Sequence, residues 1–133
     1  MDTKSFFRKL VAFTTSVHQA TNDITKGLKS DAITPVQYGI LQYVAVSQPV
    51  TLSEISDCQR LSMPNASREI KKLREKNLCE KVAAGGDRRK QYVRLTKEGQ
   101  ALMDETFGRI EGLFLERIKG ASEQELSEIE RAL

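Results

Sequence analysis

The chain has 133 residues, enough for one modest hydrophobic core, and we expect no second, separately folded catalytic domain. Hydrophobic residues make up 39% of it and charged residues 29%, as in folded globular proteins. Charged or amide residues interrupt every apolar run before the roughly 20 residues that a membrane span needs. These features predict a single domain, residues 1–133, that does not associate with a membrane.

Charge is unevenly distributed along the chain, although the net value is only +3. Residues 60–97 hold 12 basic and 4 acidic residues, whereas residues 98–133 hold 4 basic and 9 acidic ones. A basic block of this kind attracts a polyanion, because each neutralised phosphate releases condensed counterions. The alternative interpretation is a basic surface that faces only solvent.

The first predicted helix has apolar residues spaced alternately four and three apart, and Gly27 lies near its end. This narrow seam is typical of a helix that packs against another helix, often one from a second chain. Dimerisation and burial on the chain's own core are both open interpretations of the seam. Its residues are Phe6, Leu10, Phe13, Val17, Ala20 and Ile24.

The same segment superficially resembles a secretory signal peptide, because three cations precede residues 10–17. That stretch contains Thr14, Thr15 and Ser16, and its helical rhythm continues beyond any plausible cleavage point. Two cysteines without a paired spacing pattern also suit a reducing compartment. We therefore predict a cytoplasmic protein.

Two capping boxes predict the next two helices. Thr34 and Gln37, with Pro35 in the first turn, begin a helix that ends at Pro49. Thr51 and Glu54 begin a short helix that ends near Arg60, with Leu52 and Ile55 inward. The inward residues expected in the first of these helices are Tyr38, Leu41, Val44 and Ala45.

Ser62 caps a fourth helix with one apolar and one polar face. Ala66, Ile70 and Leu73 form the predicted buried stripe, and Asn77 ends the helix in the left-handed conformation that asparagine tolerates. The cap and the opposite face offer hydrogen-bonding groups followed by cations. These residues are Ser62, Pro64, Asn65, Ser67, Arg68, Lys71 and Lys72.

Two strand-like runs, residues 79–83 and 91–95, are separated by a link that contains Gly85 and Gly86. The link also carries a charged cluster. Its members are Asp87, Arg88, Arg89 and Lys90. Thr96 then caps a long helix that Gly120 closes, and a box of Ser122 and Glu125 begins a last short helix.

Two short helices joined by a tight turn, followed by a cationic hairpin, suit the reading of duplex DNA. Asparagine and serine hydrogen-bond base edges in the major groove, and the helix N-terminus tolerates a nearby phosphate. Arginines at the hairpin tip, the wing, would enter the narrow minor groove, where the negative potential is strongest. The expected fold is mainly α (α+β), a winged helix-turn-helix with four helices, a strand–wing–strand hairpin and two final helices.

The sequence resembles the MarR family of bacterial transcriptional regulators over nearly its whole length. The resemblance is carried by Asp87 and Arg89 on the wing, followed by Leu95, Thr96 and Gly99 at the start of the long helix. It implies that Arg89 is the minor-groove residue and that Asp87 orients the wing. Arg60 and Asn77 depart from the family pattern, which usually has glycine at both positions.

The resemblance also implies an arrangement of functions along the chain. Residues 1–30 and 97–133 would supply dimerisation helices, and residues 34–96 the DNA-binding lobe. It implies a homodimeric repressor of a palindromic operator, released by a small phenolic or anionic effector. His18, Tyr38 and Tyr43 are the candidates for the effector pocket.

No arrangement of residues predicts catalysis, a metal site or a cofactor. His18 is the single histidine, which excludes a histidine-rich metal site and a histidine dyad. We expect Cys58 and Cys79 to be small buried residues. Alternative functions are a regulator gated by oxidation of one of these thiols, and a protein-interaction module whose basic block binds an acidic partner.

Overall fold

A computed structural model describes residues 2–25, 33–83 and 90–133. Within them the chain forms six helices and three short strands. In chain order these are α1 (Thr3–Thr25), α2 (Pro35–Ser47), β1 (Val50–Thr51), α3 (Leu52–Gln59), α4 (Met63–Glu75), β2 (Cys79–Ala83), β3 (Gln91–Leu95), α5 (Lys97–Arg117) and α6 (Glu123–Ala132). The predicted winged helix-turn-helix fold and its order of elements are confirmed.

Short polar residues begin the helices where the sequence predicts them. The Thr34 hydroxyl accepts a hydrogen bond from the Gln37 N–H, and the Gln37 side chain accepts one from the Thr34 N–H. Ser122 and Glu125 form the same reciprocal box at α6. Thr51 departs from the prediction, because its hydroxyl accepts from the Glu54 N–H but donates to the Glu54 carboxylate.

The sheet has three antiparallel strands in the order β1-β3-β2. Cys79 pairs opposite Leu95 in the hairpin of β2 and β3, and Val50 of β1 pairs opposite Val93. The two predicted strands are confirmed at their predicted bounds. Strand β1 is an addition, because two residues are too few to produce a recognisable alternation of apolar and polar side chains.

The contacts divide the chain into two compact units, Ser30–Phe107 and a second unit of Met1–Lys29 with Gly108–Leu133. The core of the first unit lies between α2, α3, α4 and the sheet. Its largest fully buried side chains are Ile40, Leu41, Ile55, Ile70, Leu73, Met103, Val44, Val50 and Val93. Burial of each such side chain stabilises the fold by about 1.5–3 kcal/mol.

The seam of α1 is exposed in the isolated chain. Phe6 and Phe13 keep 58% and 63% of their surface, and Leu10 and Val17 nearly half. These four side chains are therefore left largely uncovered by the other residues of their own unit. An exposed apolar row of this length is unusual for a monomer and marks an interaction surface.

A tight joint connects the end of α4 to the start of α5 within the first unit. Thr96 is 8% exposed, and its hydroxyl accepts from the Gly99 N–H at 2.9 Å and donates to the Asn77 carbonyl at 2.6 Å. The Thr96 N–H donates to the Leu78 carbonyl at 3.1 Å. Gly99 packs so closely on that carbonyl that any Cβ would overlap its oxygen. The Leu-Thr-x-x-Gly sequence is thus required by backbone packing.

We predict that Gly99→Ala lowers the free energy of unfolding by about 3 kcal/mol, the upper end of the usual cost of overpacking. Gly108→Ala, further along the same helix with no atom near its added methyl, should raise that free energy by about 0.5–1 kcal/mol. Urea denaturation at one fixed protein concentration measures both. Equal effects of the two substitutions would contradict the close packing of Gly99 on the Leu78 carbonyl.

Candidate nucleic-acid interface

The turn between α3 and α4 is held by Ser56, which is 7% exposed. Its hydroxyl donates to the Leu61 carbonyl at 2.5 Å, and the Leu61 N–H donates to the Ser56 carbonyl at 2.9 Å. The turn reverses direction through Arg60, whose φ of 53° is left-handed. Arg60 is exposed, so the turn also presents a cation beside the start of α4.

Helix α4 exposes the predicted polar face and buries the predicted apolar stripe. Ser62 caps it by accepting from the Asn65 N–H at 3.2 Å, and Pro64 lies in the first turn. The seven residues predicted for DNA contact, from Ser62 to Lys72, are all exposed. Because the opposite stripe is fixed in the core, this face is rigidly presented to solvent.

The electrostatics of this face are dominated by cations that remain exposed. Lys72 forms an ion pair with Glu69, with 3.4 Å between its Nζ and Oε1, and half of the lysine side chain stays accessible. A surface pair of this kind contributes about 0–1 kcal/mol to stability, so a phosphate can replace the carboxylate at little cost. Arg68 and Lys71 lie on the same exposed side of the helix.

The hairpin that would carry the wing is partly described. Arg94 of β3 donates from Nε to the Glu80 carboxylate of β2 at 2.6 Å, directly across the register. Lys90 is exposed immediately before β3. Asp87, Arg88 and Arg89 lie outside the described residues, so their assignment to the wing stays a prediction from sequence.

The three effector candidates fall in different units. His18 is an exposed residue of α1, while Tyr38 and Tyr43 are half-buried in α2 and pack against the core of the first unit. The Tyr38 hydroxyl is buried without a hydrogen-bond partner in the described part of the chain, and burial raises its pKa. Desolvation raises the pKa of Tyr43, and nearby Glu54 adds to it.

The two cysteines differ, and the expectation that both are buried is wrong for Cys58. Cys79 is 3% exposed, and burial raises its pKa to about 12, which keeps the thiol protonated. Cys58 is exposed. The inward face of α3 contains Leu52 and Ile55. Cys58 lies beside that face rather than on it.

Sequence reasoning treated Gln37 only as a capping partner and did not consider Glu69 or Lys76. The structure joins all three side chains in one hydrogen-bonded group between α2 and α4. A signal for Gln37 was available, because it lies one turn before Ile40 and Leu41 on an inward face. A polar residue at such a position predicts a buried, hydrogen-bonded side chain.

Neither a metal site nor a membrane-spanning helix is found within the described ranges. They contain no group of three or more histidine, cysteine or acidic residues placed to hold a metal ion. Of their helices, none is both long enough and apolar enough to span a bilayer.

Residues 33–90, the part of the chain that holds α2 to α4 and the hairpin, match the model of the MarR family. No curated protein matches the chain at a significant level.

Solved structures with this fold are numerous. A MarR family protein from Bacillus stearothermophilus superposes with a TM-score of 0.74 at 20% identity, covering 99% of this chain and 92% of that one. Staphylococcus aureus MepR bound to ethidium bromide gives 0.68 at 20% identity, covering 92% and 89%. The transcriptional regulator Tm0710 from Thermotoga maritima gives 0.65 at 18% identity, covering 97% and 89%. At these identities the likeness establishes the fold.

We predict that Arg60→Gly raises the free energy of unfolding by about 0.5–1 kcal/mol, because glycine removes the strain of a left-handed Cβ. Arg74→Gly, also exposed but in right-handed helix, should lower it by about 1 kcal/mol. Thermal and urea unfolding of both variants check the contrast. Destabilisation by both would show that the turn is not strained at Arg60.

Proposed function

We propose that the chain, of which residues 33–90 match the model of the MarR family, is a DNA-binding transcriptional regulator that acts as a homodimer on duplex DNA. The observation that carries the proposal is the exposed cationic face of α4, presented by a helix whose other face is fixed in the core. The function is binding rather than catalysis, and it is exerted in the cytoplasm.

In this proposal α4 is the recognition helix, and its N-terminal half reads the major groove. Asn65 and Ser67 supply side chains that hydrogen-bond base edges, and Pro64 fits the first turn without needing an N–H partner. Arg68, Lys71 and Lys72 follow within two turns and bind phosphates. Base contacts select the sequence, while the phosphate contacts set the register of the helix.

The wing supplies the second contact, in the neighbouring minor groove. Arg89 inserts there, Asp87 orients its guanidinium, and Arg88 and Lys90 bind the flanking phosphates. The exposed position of Lys90 beside β3 supports this assignment. Two contacts in adjacent grooves account for the concentration of basic residues between positions 60 and 97.

Dimerisation involves residues 1–30 and 97–133, as the exposed seam of α1 supports. The final helix α6 is acidic on its exposed surface and also leaves Ile129 58% exposed. In a dimer, the exposed apolar residues of α1 and α6 would be buried against a second copy of the chain. A twofold axis then places the recognition helices about 34 Å apart on a palindromic operator.

A small phenolic or anionic ligand releases the operator in this proposal, and bound repressor blocks transcription. The unpartnered hydroxyl of Tyr38 supports a ligand that accepts a hydrogen bond, and His18 and Tyr43 are the other candidate contacts. The neighbour MepR was solved with ethidium, a small aromatic molecule. Such a ligand releases DNA only if it binds the DNA-incompetent conformation more tightly.

The proposal is tested by retention of genomic DNA fragments on the purified chain, sequencing of those fragments, and gel shifts with and without peroxide. A retained set with a shared palindrome supports it. If peroxide abolishes the gel shift of the wild-type chain but not that of Cys58→Ser, the result would instead favour gating through the exposed Cys58. Absence of any preferred fragment would favour a protein-interaction module with an acidic partner.

We predict that Arg89→Ala weakens operator binding by about 1–3 kcal/mol, because it removes the minor-groove contact. Lys71→Ala should mainly flatten the dependence of affinity on salt, with a slope smaller by about one. Lys119→Ala, just after the end of α5 and in an exposed ion pair with Glu116, is the matched control and should change neither. Fluorescence anisotropy across a salt series measures all three, and unchanged affinity in Arg89→Ala would refute the wing assignment.

We predict that Phe13→Asp converts the dimer to a monomer, because it buries a charge in the centre of the α1 seam. Val46→Asp introduces the same charge on α2, where the valine is 76% exposed, and should leave the dimer intact. Sedimentation equilibrium of both variants measures the change. A dimer that survives Phe13→Asp would place the interface elsewhere.

A further inference from the structure

Four polar side chains form a continuous hydrogen-bonded group between α2 and the recognition helix. The Gln37 Nε2 donates to the Glu69 Oε2 at 3.1 Å, and the Gln37 Oε1 accepts from the Lys76 Nζ at 2.8 Å. The other carboxylate oxygen of Glu69 accepts from the Lys72 Nζ at 3.4 Å. Through this group one residue of α2 holds both the middle of α4 and its C-terminal cap.

The amide of Gln37 is buried, with 3% of the residue exposed, so water cannot replace a hydrogen-bond partner that is lost. Its oxygen accepts from two donors, the Thr34 N–H and the Lys76 ammonium, and its NH2 group donates to Glu69. Loss of these bonds would leave a partly buried carboxylate, 20% exposed, without its amide partner. The group is therefore held in one arrangement.

The capping role of Gln37 does not require this group. A capping box is complete with Thr34 and Gln37 alone, whereas the bonds to Glu69 and Lys76 span 32 and 39 positions of sequence. They join two helices that the apolar core already keeps together. What they add is direction, because hydrogen bonds fix geometry whereas apolar contacts are non-directional.

The positions held on α4 define how that helix is rotated. Glu69, Lys72 and Lys76 are three and four residues apart, so they lie along one side of the helix, between the buried stripe and the cationic face. Attachment at the middle and at the cap fixes both the tilt of α4 and its rotation about its own axis. Base contacts tolerate displacements of well under about 1 Å, so this rotation matters for reading.

We propose that Gln37 is a positioning residue for base recognition, which sets the rotation of α4 through its bonds to Glu69 and Lys76. The inference rests on the proposed function, since it assumes that α4 reads DNA. Gln37 is a buried residue of α2 and is remote from the exposed face of α4, yet by this inference it contributes to the preference for one DNA sequence over another.

The test compares two duplexes, the one that the wild-type chain enriches from a random-sequence library and a shuffled duplex of the same composition. In Gln37→Glu two carboxylates face each other across the α2–α4 contact, and the ratio of the two affinities should fall about tenfold, the size of one lost base contact. Gln42→Glu adds the same charge at an exposed site of α2 and should keep the ratio. The Gln42→Glu variant measures the general effect of an added negative charge on DNA affinity.

A double variant tests whether the effect comes from the hydrogen bond between Gln37 and Glu69. In the double variant Gln37→Glu with Glu69→Gln, the new carboxylate accepts from the new amide, and the net charge returns to that of the wild type. The affinity ratio should recover to within about threefold of the wild-type value, an expectation that a loss of packing alone does not share. Circular dichroism at the assay temperature confirms that each variant compared is folded.

The outcomes separate the inference from the proposed function. If Gln37→Glu does not fold, Glu69→Ala removes the same bond from a more accessible position and should lower the ratio in its place. A ratio unchanged in the folded variants, or no recovery in the double variant, overturns the inference while DNA binding stands. A wild-type chain that enriches no sequence overturns the proposed function, and the inference with it.

Discussion

In the proposed function, α4 has to be fixed on one side and free on the other, and the rest of the first unit serves that constraint. Ala66, Ile70 and Leu73 anchor α4 in the core, and each is at most 1% exposed. The opposite face leaves its cations in solvent, where they are accessible to a polyanion. In the proposed function, a helix held less firmly would lose part of its affinity to the entropy of ordering on DNA.

Both ends of α4 are tied to neighbouring elements by backbone groups. At its start, Ser62 caps the helix and the buried hydroxyl of Ser56 closes the preceding turn. At its end, the carbonyls of Asn77 and Leu78 accept from Thr96, at the first turn of α5. Thr96 and Gly99 of the Leu-Thr-x-x-Gly sequence therefore join the end of α4 directly to the beginning of α5, although the β2–β3 hairpin separates the two helices in sequence.

Features that depend on local chemistry were predictable from the sequence. Capping at Thr34, Ser62 and Ser122 follows from hydrogen bonds within one turn, and the left-handed Asn77, with a φ of 60°, follows from the side chain that best tolerates it. The polar face of α4 was predictable for the same reason, because a helix with one apolar stripe exposes its other residues.

Features that depend on distant partners were not predictable in this way. Strand β1 exists because β3 offers it a pairing edge, and nothing in Val50 and Thr51 alone indicates a strand. Cys58 is exposed because the packing of α3 on α2 selects which side of a short helix is buried. Gln37 reaches Glu69 and Lys76 only once α2 and α4 are side by side, so this hydrogen-bonded group is a property of the fold.

Footprinting of the wild-type chain on an enriched duplex with two reagents tests the central claim most directly. Dimethyl sulfate methylates guanine N7 and reports the major groove, and hydroxyl radical attacks the sugars and reports the minor groove. The account predicts two protected major-groove segments about one helical turn apart, each flanked by a protected minor groove. Uniform protection along the duplex, or protection of a single isolated segment, would contradict a twofold-symmetric reader with a helix and a wing in adjacent grooves.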